Sequence, residues 1–159
     1  MKTQGHERFM RMAIKLSEQN VKRSAGGPFG AVIVRNGEVV AKSANKVIIQ
    51  TDPTAHAEVS AIRIACKKLG TYNLQGCVIY TSCEPCPMCM GAIYWARLDA
   101  VFYGNTKKDA AVIGFDDHFI YDELALPPEQ RTLRIYRLLP DEALNAFKLW
   151  EISNTKTDY

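Results

Sequence analysis

The chain has 159 residues, 47% of them hydrophobic and 23% charged, which fits one globular domain over residues 1–159 and requires no second one. Twenty Lys and Arg residues against 17 Asp and Glu residues leave a net charge of +3, too small to predict a phosphate-backbone partner by itself. The first residues lack the apolar core of a signal peptide and no apolar run is long enough to span a bilayer, so we expect a cytoplasmic protein without a membrane contact.

The N-terminal part of the chain predicts a helix followed by a β-hairpin. Apolar residues recur at helical spacing over residues 7–21, and a Gly-rich segment after them should end that helix. Residues 31–34 and 39–41 have the composition of two strands. Between them stands Asn36-Gly37, the dipeptide that type I′ turns favour. We therefore expect an antiparallel pair here.

A second helix should follow a polar connection over residues 45–53. Thr54 is a residue type that caps helices, and the pattern behind it predicts a helix over residues 55–68. Gly70 stands where a glycine commonly ends a helix.

The central part of the chain predicts a strand, a helix and another strand, over residues 77–81, 90–95 and 100–103. Two strands separated by a helix favour a right-handed parallel crossover. The elements predicted beyond this unit are helices over residues 107–112, 116–124 and 142–151 and a strand over residues 132–138.

Three of the five cysteines lie within residues 83–89. An odd count and a tight cluster indicate metal or redox chemistry rather than a disulfide framework. Cys66 and Cys77 stand apart from this cluster, and we expect them to be buried small side chains.

His56, Cys86 and Cys89 are candidate ligands of one metal ion, because each stands near the start of a predicted helix. One imidazole and two thiolates suit Zn²⁺, and a catalytic zinc keeps its fourth position open for water. The spacing of the two cysteines puts them on one side of a helix, whose N-terminal dipole favours the thiolate. We expect one Zn²⁺ per subunit, and such a site also admits Fe²⁺ or Co²⁺. Cys83 is close enough in sequence to become a fourth ligand, which would close the site.

Glu58 is the candidate general acid and base. A zinc ion with these ligands lowers the pKa of its bound water from 15.7 toward roughly 7, and the hydroxide then needs a group that takes and returns its proton. An unligated carboxylate beside the metal would serve. One geometric difficulty is that residues two apart on a regular helix point to nearly opposite sides, whereas His56 and Glu58 must reach the same ion. We expect a bend in the first turn to bring them together.

Each half of this group also has a simpler interpretation. His56 alone fits a core or capping residue, and the cysteine cluster alone fits a structural zinc knuckle. A sealed site made of His56, Cys83, Cys86 and Cys89 would define a non-catalytic zinc module, in which Glu58 has no required role.

Together, His56-Ala57-Glu58 and Pro85-Cys86-Pro87-Met88-Cys89 match the H-x-E and P-C-x-x-C signature of zinc nucleobase deaminases. At these residues the chain resembles the cytidine deaminase superfamily, and over nearly its whole length it is similar to the bacterial guanine deaminases. The stretches that carry the resemblance are residues 26–32, 52–58, 81–89, 91–97 and 114–117.

The resemblance implies an α/β fold of three layers, α/β/α, with a mixed five-stranded sheet, and a homodimer whose C-terminal segments are exchanged. It implies hydrolysis of guanine to xanthine and ammonia by a zinc-bound hydroxide, with Glu58 as the proton shuttle. Asp117 would sit beside the amino group being replaced and assist proton traffic. The substrate-binding residues that it implies are Phe29, Asn45, Ala57, Trp95 and Tyr159.

Several of these residues have specific roles in the resemblance. Asn45 would hydrogen-bond the purine, Phe29 would stack on it, and the terminal Tyr159 would close the partner's pocket. Without the family, the same residues fit simpler roles: a loop-shaping Asn, a core Phe and a frayed terminal Tyr, with Asp117 as a helix cap.

A tRNA adenosine deaminase is the nearest rival, because it shares the zinc signature but must grip the phosphates of a folded RNA. The predicted helix over residues 142–151 is mixed in charge and carries no basic stripe, which favours a free purine over nucleic acid. Guanosine, a pterin, a triazine and cytosine remain alternative substrates, because they share an amino-substituted ring.

Overall fold

The computed structural model describes residues 3–157, which form two compact units that meet in sequence between His118 and Phe119. The prediction of one domain over residues 1–159 stays a prediction. Tyr159 lies outside the described residues.

The first unit contains four strands and five complete helices. Their bounds are α1 Thr3–Lys22, β1 Gly30–Arg35, β2 Glu38–Ala44, α2 Val47–Gln50, α3 Ala57–Leu69, β3 Cys77–Cys83, α4 Pro87–Trp95, β4 Ala100–Asn105 and α5 Lys107–Val112. The remaining helices are α6 His118–Ala125, a 3₁₀ turn Pro128–Gln130 and α7 Pro140–Glu151. Among the helices of residues 3–157, none has both the length and the hydrophobicity needed to cross a bilayer.

The sheet is mixed and has the order β2-β1-β3-β4. Strand β1 pairs antiparallel with both β2 and β3, and β3 pairs in parallel with β4. The parallel β3-α4-β4 unit predicted from the sequence is therefore confirmed. The hairpin is confirmed too: Asn36 and Gly37 have φ values of 52° and 78°, the positive angles that a type I′ turn requires at both central positions.

Alternate residues of the strands pack on opposite faces of the sheet. Ala31 and Ile33 face a core that includes residues of α3 and α4, whereas Val32 and Val34 face a second core with residues of α1. The first unit thus has helices on both sides of a mixed sheet. The α/β architecture expected from the sequence is confirmed.

The expectation of a fifth strand is wrong for this structure, because the sheet formed by residues 3–157 has four strands. Residues 132–135 alternate polar and apolar side chains, yet residues 132–138 form no strand. At the start of this segment the carboxylate of Glu123 accepts hydrogen bonds from the backbone N–H of Thr132 at 2.8 Å and from its hydroxyl, also at 2.8 Å. Leu133 and Leu138 stay 73% and 80% exposed. Alternating polar and apolar residues indicate which side chains would lie on each face of a strand. They do not provide the neighbouring strand with which the segment must pair.

The start of α3 also differs from the prediction, because the helix begins at Ala57 and its N-cap is His56 rather than Thr54. The side chain of Asp52 accepts hydrogen bonds from both the backbone N–H and the hydroxyl of Thr54, at 2.8 and 2.7 Å, so Thr54 belongs to a turn before the helix. Gly70 ends α3 with φ of 66°, as predicted.

Candidate metal centre

The candidate site lies where β1 begins and β2 and β3 end. Two backbone hydrogen bonds align the segments around it: Asn45 donates its N–H to the carbonyl of Phe29 at 3.0 Å, and Lys46 donates to the carbonyl of Ala55 at 2.9 Å. Because Ala55 precedes His56, these bonds bring the segments of Phe29, Asn45 and His56 side by side. Ligands commonly bind at such strand ends in open α/β sheets.

Each of two helices begins at a candidate ligand. His56 is the N-cap of α3, with φ of −63° and ψ of 159°, and Cys86 is the N-cap of α4, with φ of −66° and ψ of 169°. Both residues therefore have extended backbone, while Glu58 and Cys89 lie in the first turns of the helices that follow. The geometric difficulty between His56 and Glu58 disappears, because the two residues do not share one regular helix.

The three candidate ligand side chains converge at distances that suit zinc. The Nδ1 atom of His56 lies 3.6 Å from the Sγ of Cys86 and 3.5 Å from the Sγ of Cys89, and all three ligand atoms lie within 4.8 Å of one another. Tetrahedral zinc with bonds of about 2.3 Å to sulfur and about 2.0–2.1 Å to nitrogen separates such S and N atoms by about 3.6 Å. These residues therefore fit a zinc ion with three protein ligands.

Protons and a cation compete for these three side chains. The pKa of Cys86 is lowered to about 4, first because Cys89 donates a hydrogen bond to its sulfur and then because His56 does. The pKa of Cys89 is raised by the same contact and by burial, and that of His56 is raised first by its hydrogen bond to Cys86. A divalent metal takes the place of such shared protons, so its binding releases them.

Cys83 does not belong to this group of ligands. Its buried thiol points to the carbonyl oxygen of Thr106, with the sulfur 3.6 Å from that oxygen. Burial, and then the charge of Glu58, raises the pKa of Cys83 to about 11, which keeps it a neutral thiol. Among residues 3–157, the only His, Cys, Asp or Glu group placed to hold a metal is the one formed by His56, Cys86 and Cys89. A sealed four-ligand module would need Cys83 and has no support in this geometry.

Glu58 is a buried carboxyl group beside the candidate ligands. Only 7% of the residue is exposed, and burial raises the pKa of its carboxyl group. The charge of Cys86 raises this pKa further, whereas His56 and a hydrogen bond with Cys89 lower it. Glu58 therefore contacts the group without being counted among its three ligands, which is the arrangement expected of an acid and base beside a metal.

Asp117 is half-buried on the segment after α5. Burial first, and then the charge of Cys86, raises the pKa of its carboxyl group, and its own charge acts on His56. The side chain of the neighbouring Asp116 accepts the backbone N–H of His118 at 2.9 Å, so of the two aspartates it is Asp116 that forms the local turn.

Phe29 and Asn45 stand on the segments that the backbone bonds align. The ring of Phe29 meets that of Phe115 edge to face, with centroids 4.9 Å apart and an interplanar angle of 89°. Asn45 is buried, and its Oδ1 accepts the backbone N–H of Val47 at 3.2 Å. This oxygen shapes the loop, which leaves the Nδ2 of Asn45 as the group that can donate to a ligand.

The predicted substrate-binding residues Ala57 and Trp95 differ in their exposure. Ala57 is fully buried at the first position of α3, and Trp95 is 67% exposed at the end of α4.

Asn20 is a supporting residue that the sequence did not reveal, because it resembles any other polar residue of an amphipathic helix. Its Nδ2 donates to the carbonyl oxygens of Gly27 and Asn45, at 2.8 and 3.0 Å, and so fixes the loop of Asn45.

Known proteins are similar to this chain in sequence and in fold. Residues 3–105 match the family model described as the cytidine and deoxycytidylate deaminase zinc-binding region. The chain is 53% identical to the guanine deaminase of Bacillus subtilis strain 168, over 97% of this chain and 99% of that protein. An X-ray structure of guanine deaminase from Bacillus subtilis superposes with a TM-score of 0.94 at 52% identity, covering 97% of this chain and 98% of the other. A tRNA-specific adenosine deaminase of Aquifex aeolicus is 38% identical over 65% of this chain and 68% of that protein.

Proposed function

The chain belongs to the cytidine and deoxycytidylate deaminase family, and we propose that it hydrolyses guanine to xanthine and ammonia. It is a zinc-dependent deaminase, with His56, Cys86 and Cys89 positioned to bind the metal. The observation that carries the proposed chemistry is the convergence of three ligands, not four, beside the buried carboxyl group of Glu58. The similarity to guanine deaminase over nearly the full length favours guanine over the other bases considered.

Zinc held by His56, Cys86 and Cys89 would supply a water molecule acidic enough to act as a nucleophile at neutral pH. Glu58 takes the proton of that water and returns protons to a ring nitrogen and to the departing ammonia. Its position supports this role, because the carboxyl group lies in the first turn of the helix that His56 begins. The low exposure of Glu58 keeps bulk water from competing for those protons.

The purine is held by groups around the metal. The Nδ2 of Asn45 donates to a ring acceptor, and the face formed by Phe29 orients the ring without requiring one hydrogen-bond pattern. Asp117 accepts from the ring N–H and amino groups that guanine presents and assists in moving protons at the reacting carbon. Ala57 and Trp95 are assigned to the pocket because the resemblance to the family implies that they bind the substrate.

We also propose a homodimer with exchanged C-terminal segments, in which Tyr159 closes the partner's pocket. The apolar surface of α7 supports an interface: Leu144, Phe147 and Trp150 recur at helical spacing, and they are 44%, 74% and 48% exposed. The predicted cytoplasmic location stays a prediction.

Ammonia release from a panel of substrates tests the proposal. Purified protein with its zinc content measured is assayed on guanine, guanosine, a pterin, a triazine and cytosine, and on a tRNA whose adenosine is scored for conversion to inosine. We expect turnover of guanine above every other compound. Inosine formation in tRNA without turnover of guanine would replace the proposed substrate by an RNA base.

A further inference from the structure

The segment of the metal-binding cysteines is joined to the start of α5 by three contacts. Glu84 donates its backbone N–H to the carbonyl of Asn105 at 2.8 Å, and the thiol of Cys83 points to the carbonyl of Thr106 at 3.6 Å. In the third contact, the Oε2 of Glu84 accepts the backbone N–H of Lys107 at 3.0 Å. Parallel pairing of Cys83 with Asn105 brings these residues together at the strand ends.

The bond from Lys107 to Glu84 satisfies the first backbone N–H of α5, a group that a helix leaves without an internal partner. The other cap of this helix is local. Thr106 and Asp109 form a reciprocal capping box, in which Asp109 accepts from the backbone N–H and the hydroxyl of Thr106 at 2.8 and 2.7 Å. The capping box therefore stabilises the start of the helix locally, whereas Glu84 connects the helix to the segment of the metal-binding cysteines.

The far end of α5 leads directly to the residues that face the proposed substrate. The backbone N–H of Phe115 returns to the carbonyl of Ala110 at 3.0 Å, which folds residues 113–115 against the end of the helix. The ring of Phe115 then meets Phe29, and Asp117 follows two residues later. Because α5 has only six residues, a shift of its first turn is carried to this segment. The charge of Lys107 also lowers the pKa of Asp117. Lys107, whose backbone N–H Glu84 accepts, is therefore close enough to act on that carboxyl group.

We propose that Glu84 is a positioning residue for the deamination, whose carboxylate fixes the start of α5 to the zinc-binding segment and so positions the segment that carries Phe115 and Asp117. This inference rests on the proposed function, because Asp117 has its role there. Glu84 acts through the geometry of one accepted hydrogen bond, so its reach and its acceptor oxygen matter, while its charge does not.

Three substitutions separate these properties. Glu84→Ala removes the acceptor, Glu84→Asp keeps the charge but shortens the reach by one methylene, and Glu84→Gln keeps both the reach and an acceptor oxygen without the charge. We expect zinc content of one ion per subunit in all three. We expect kcat on guanine to fall about 10- to 100-fold in the Ala variant, less in the Asp variant, and by less than about threefold in the Gln variant, with smaller changes in KM.

Asp109→Ala is the matched control, because it removes the two hydrogen bonds that the Asp109 side chain accepts from Thr106 in the capping box of the same helix and leaves the Glu84 bond in place. It should lower the melting temperature at least as much as Glu84→Ala while keeping kcat within about threefold of the unmodified protein. Equal loss of kcat in Asp109→Ala and Glu84→Ala, an unchanged kcat in Glu84→Ala, or a Gln variant as impaired as the Ala variant would each overturn the proposal. If the Ala variant does not fold, the order of the Gln and Asp variants decides.

The unmodified protein in the same assay tests the proposed function separately. If it releases no ammonia from guanine, that function fails, and the Glu84 variants are then compared on whichever base of the panel the unmodified protein deaminates. A loss confined to the Ala and Asp variants supports the positioning role in either case.

Discussion

His56 and Glu58 are separated by one residue but belong to different backbone conformations: His56 is extended, with ψ of 159°, and Glu58 lies in the first turn of α3. This change of conformation lets an imidazole and a carboxyl group that are close in sequence reach one site. A regular helix through both residues would have pointed them to nearly opposite sides. The acid and base of the site is therefore positioned by where the helix begins.

Replacing Glu58 by Gln should leave zinc bound and the fold intact, because Glu58 is not one of the three ligands and Gln has nearly the same shape. Turnover of guanine should fall by about two to four orders of magnitude, since an amide cannot carry the proton. Elemental analysis, circular dichroism and ammonia release measure the three quantities. Ammonia release at the unmodified rate would rule out the proton-shuttle role.

Cys83 and Cys86 provide a matched pair for the metal. Cys83→Ala should keep one zinc per subunit, because that thiol is neutral and points to Thr106. Cys86→Ala should lose both zinc and activity, because it removes one of three ligands. Zinc content of the two purified variants checks the expectation. A Cys83 variant as poor in zinc as the Cys86 variant would make Cys83 a ligand.

Asp117→Asn should lower guanine turnover by more than its effect on stability suggests. The substitution keeps the size of the side chain and removes the carboxylate that accepts from the purine and moves protons. We expect a loss of roughly tenfold or more in kcat/KM with a melting temperature within about 2 °C of the unmodified protein. The control is Asp116→Asn, where the side-chain oxygen can still accept the N–H of His118. Similar losses in both variants would point to the loop rather than to Asp117.

Deletion of Tyr159 should reduce turnover of guanine more than it reduces thermal stability, because the role proposed for Tyr159 is to close the partner's pocket. Mixing the deleted protein with one that carries Glu58→Gln tests the exchange between subunits. If Tyr159 serves the partner, mixed dimers recover part of the activity that neither parent has. No recovery after dissociation and reassembly would place Tyr159 in its own subunit's site or in none.

Gly30 is the position where a side chain should cost most. A Cβ atom there would lie 2.3 Å from the carbonyl oxygen of Ala13 and 2.9 Å from the backbone nitrogen of Ser17. Gly30→Ala should therefore lower the free energy of unfolding by about 3 kcal/mol, because α1 must move away from β1. Gly5 lies in helix α1, and a Cβ atom there would have no atom within 4 Å. Gly5→Ala should therefore raise the free energy of unfolding by about 0.5–1 kcal/mol. Denaturant unfolding of both variants measures the contrast.

The elements that depend on local chemistry were predictable from the sequence. The Asn36-Gly37 turn and the helix stop at Gly70 each follow from positive φ angles that few residues adopt. The parallel unit β3-α4-β4 follows from two short apolar strands around a helix. The strand predicted over residues 132–138 failed because strand formation also needs a neighbour to pair with, and alternation within one segment carries no information about that neighbour.

The candidate site also has features that the sequence predicts and features that depend on contacts distant in sequence. The ligand types at His56, Cys86 and Cys89 could be predicted, because imidazole and thiolates at such spacings have few other uses. The place of Cys83 could not, because it depends on the carbonyl of Thr106, which is 23 residues away in sequence. The start of α3 was misplaced for a related reason: Asp52 binds Thr54, and the capping preference of a threonine does not reveal such a competitor.

The bonds from Asn45 to Phe29 and from Lys46 to Ala55 join backbone atoms only. A change of side chain at position 29 or 45 removes neither of these bonds, although at position 45 it also removes the Oδ1 contact with Val47. Substitutions at these two positions should therefore change which base fits the pocket while these two backbone bonds stay in place. A site whose segments are aligned by backbone bonds suits enzymes that share one reaction and differ in the molecules they accept.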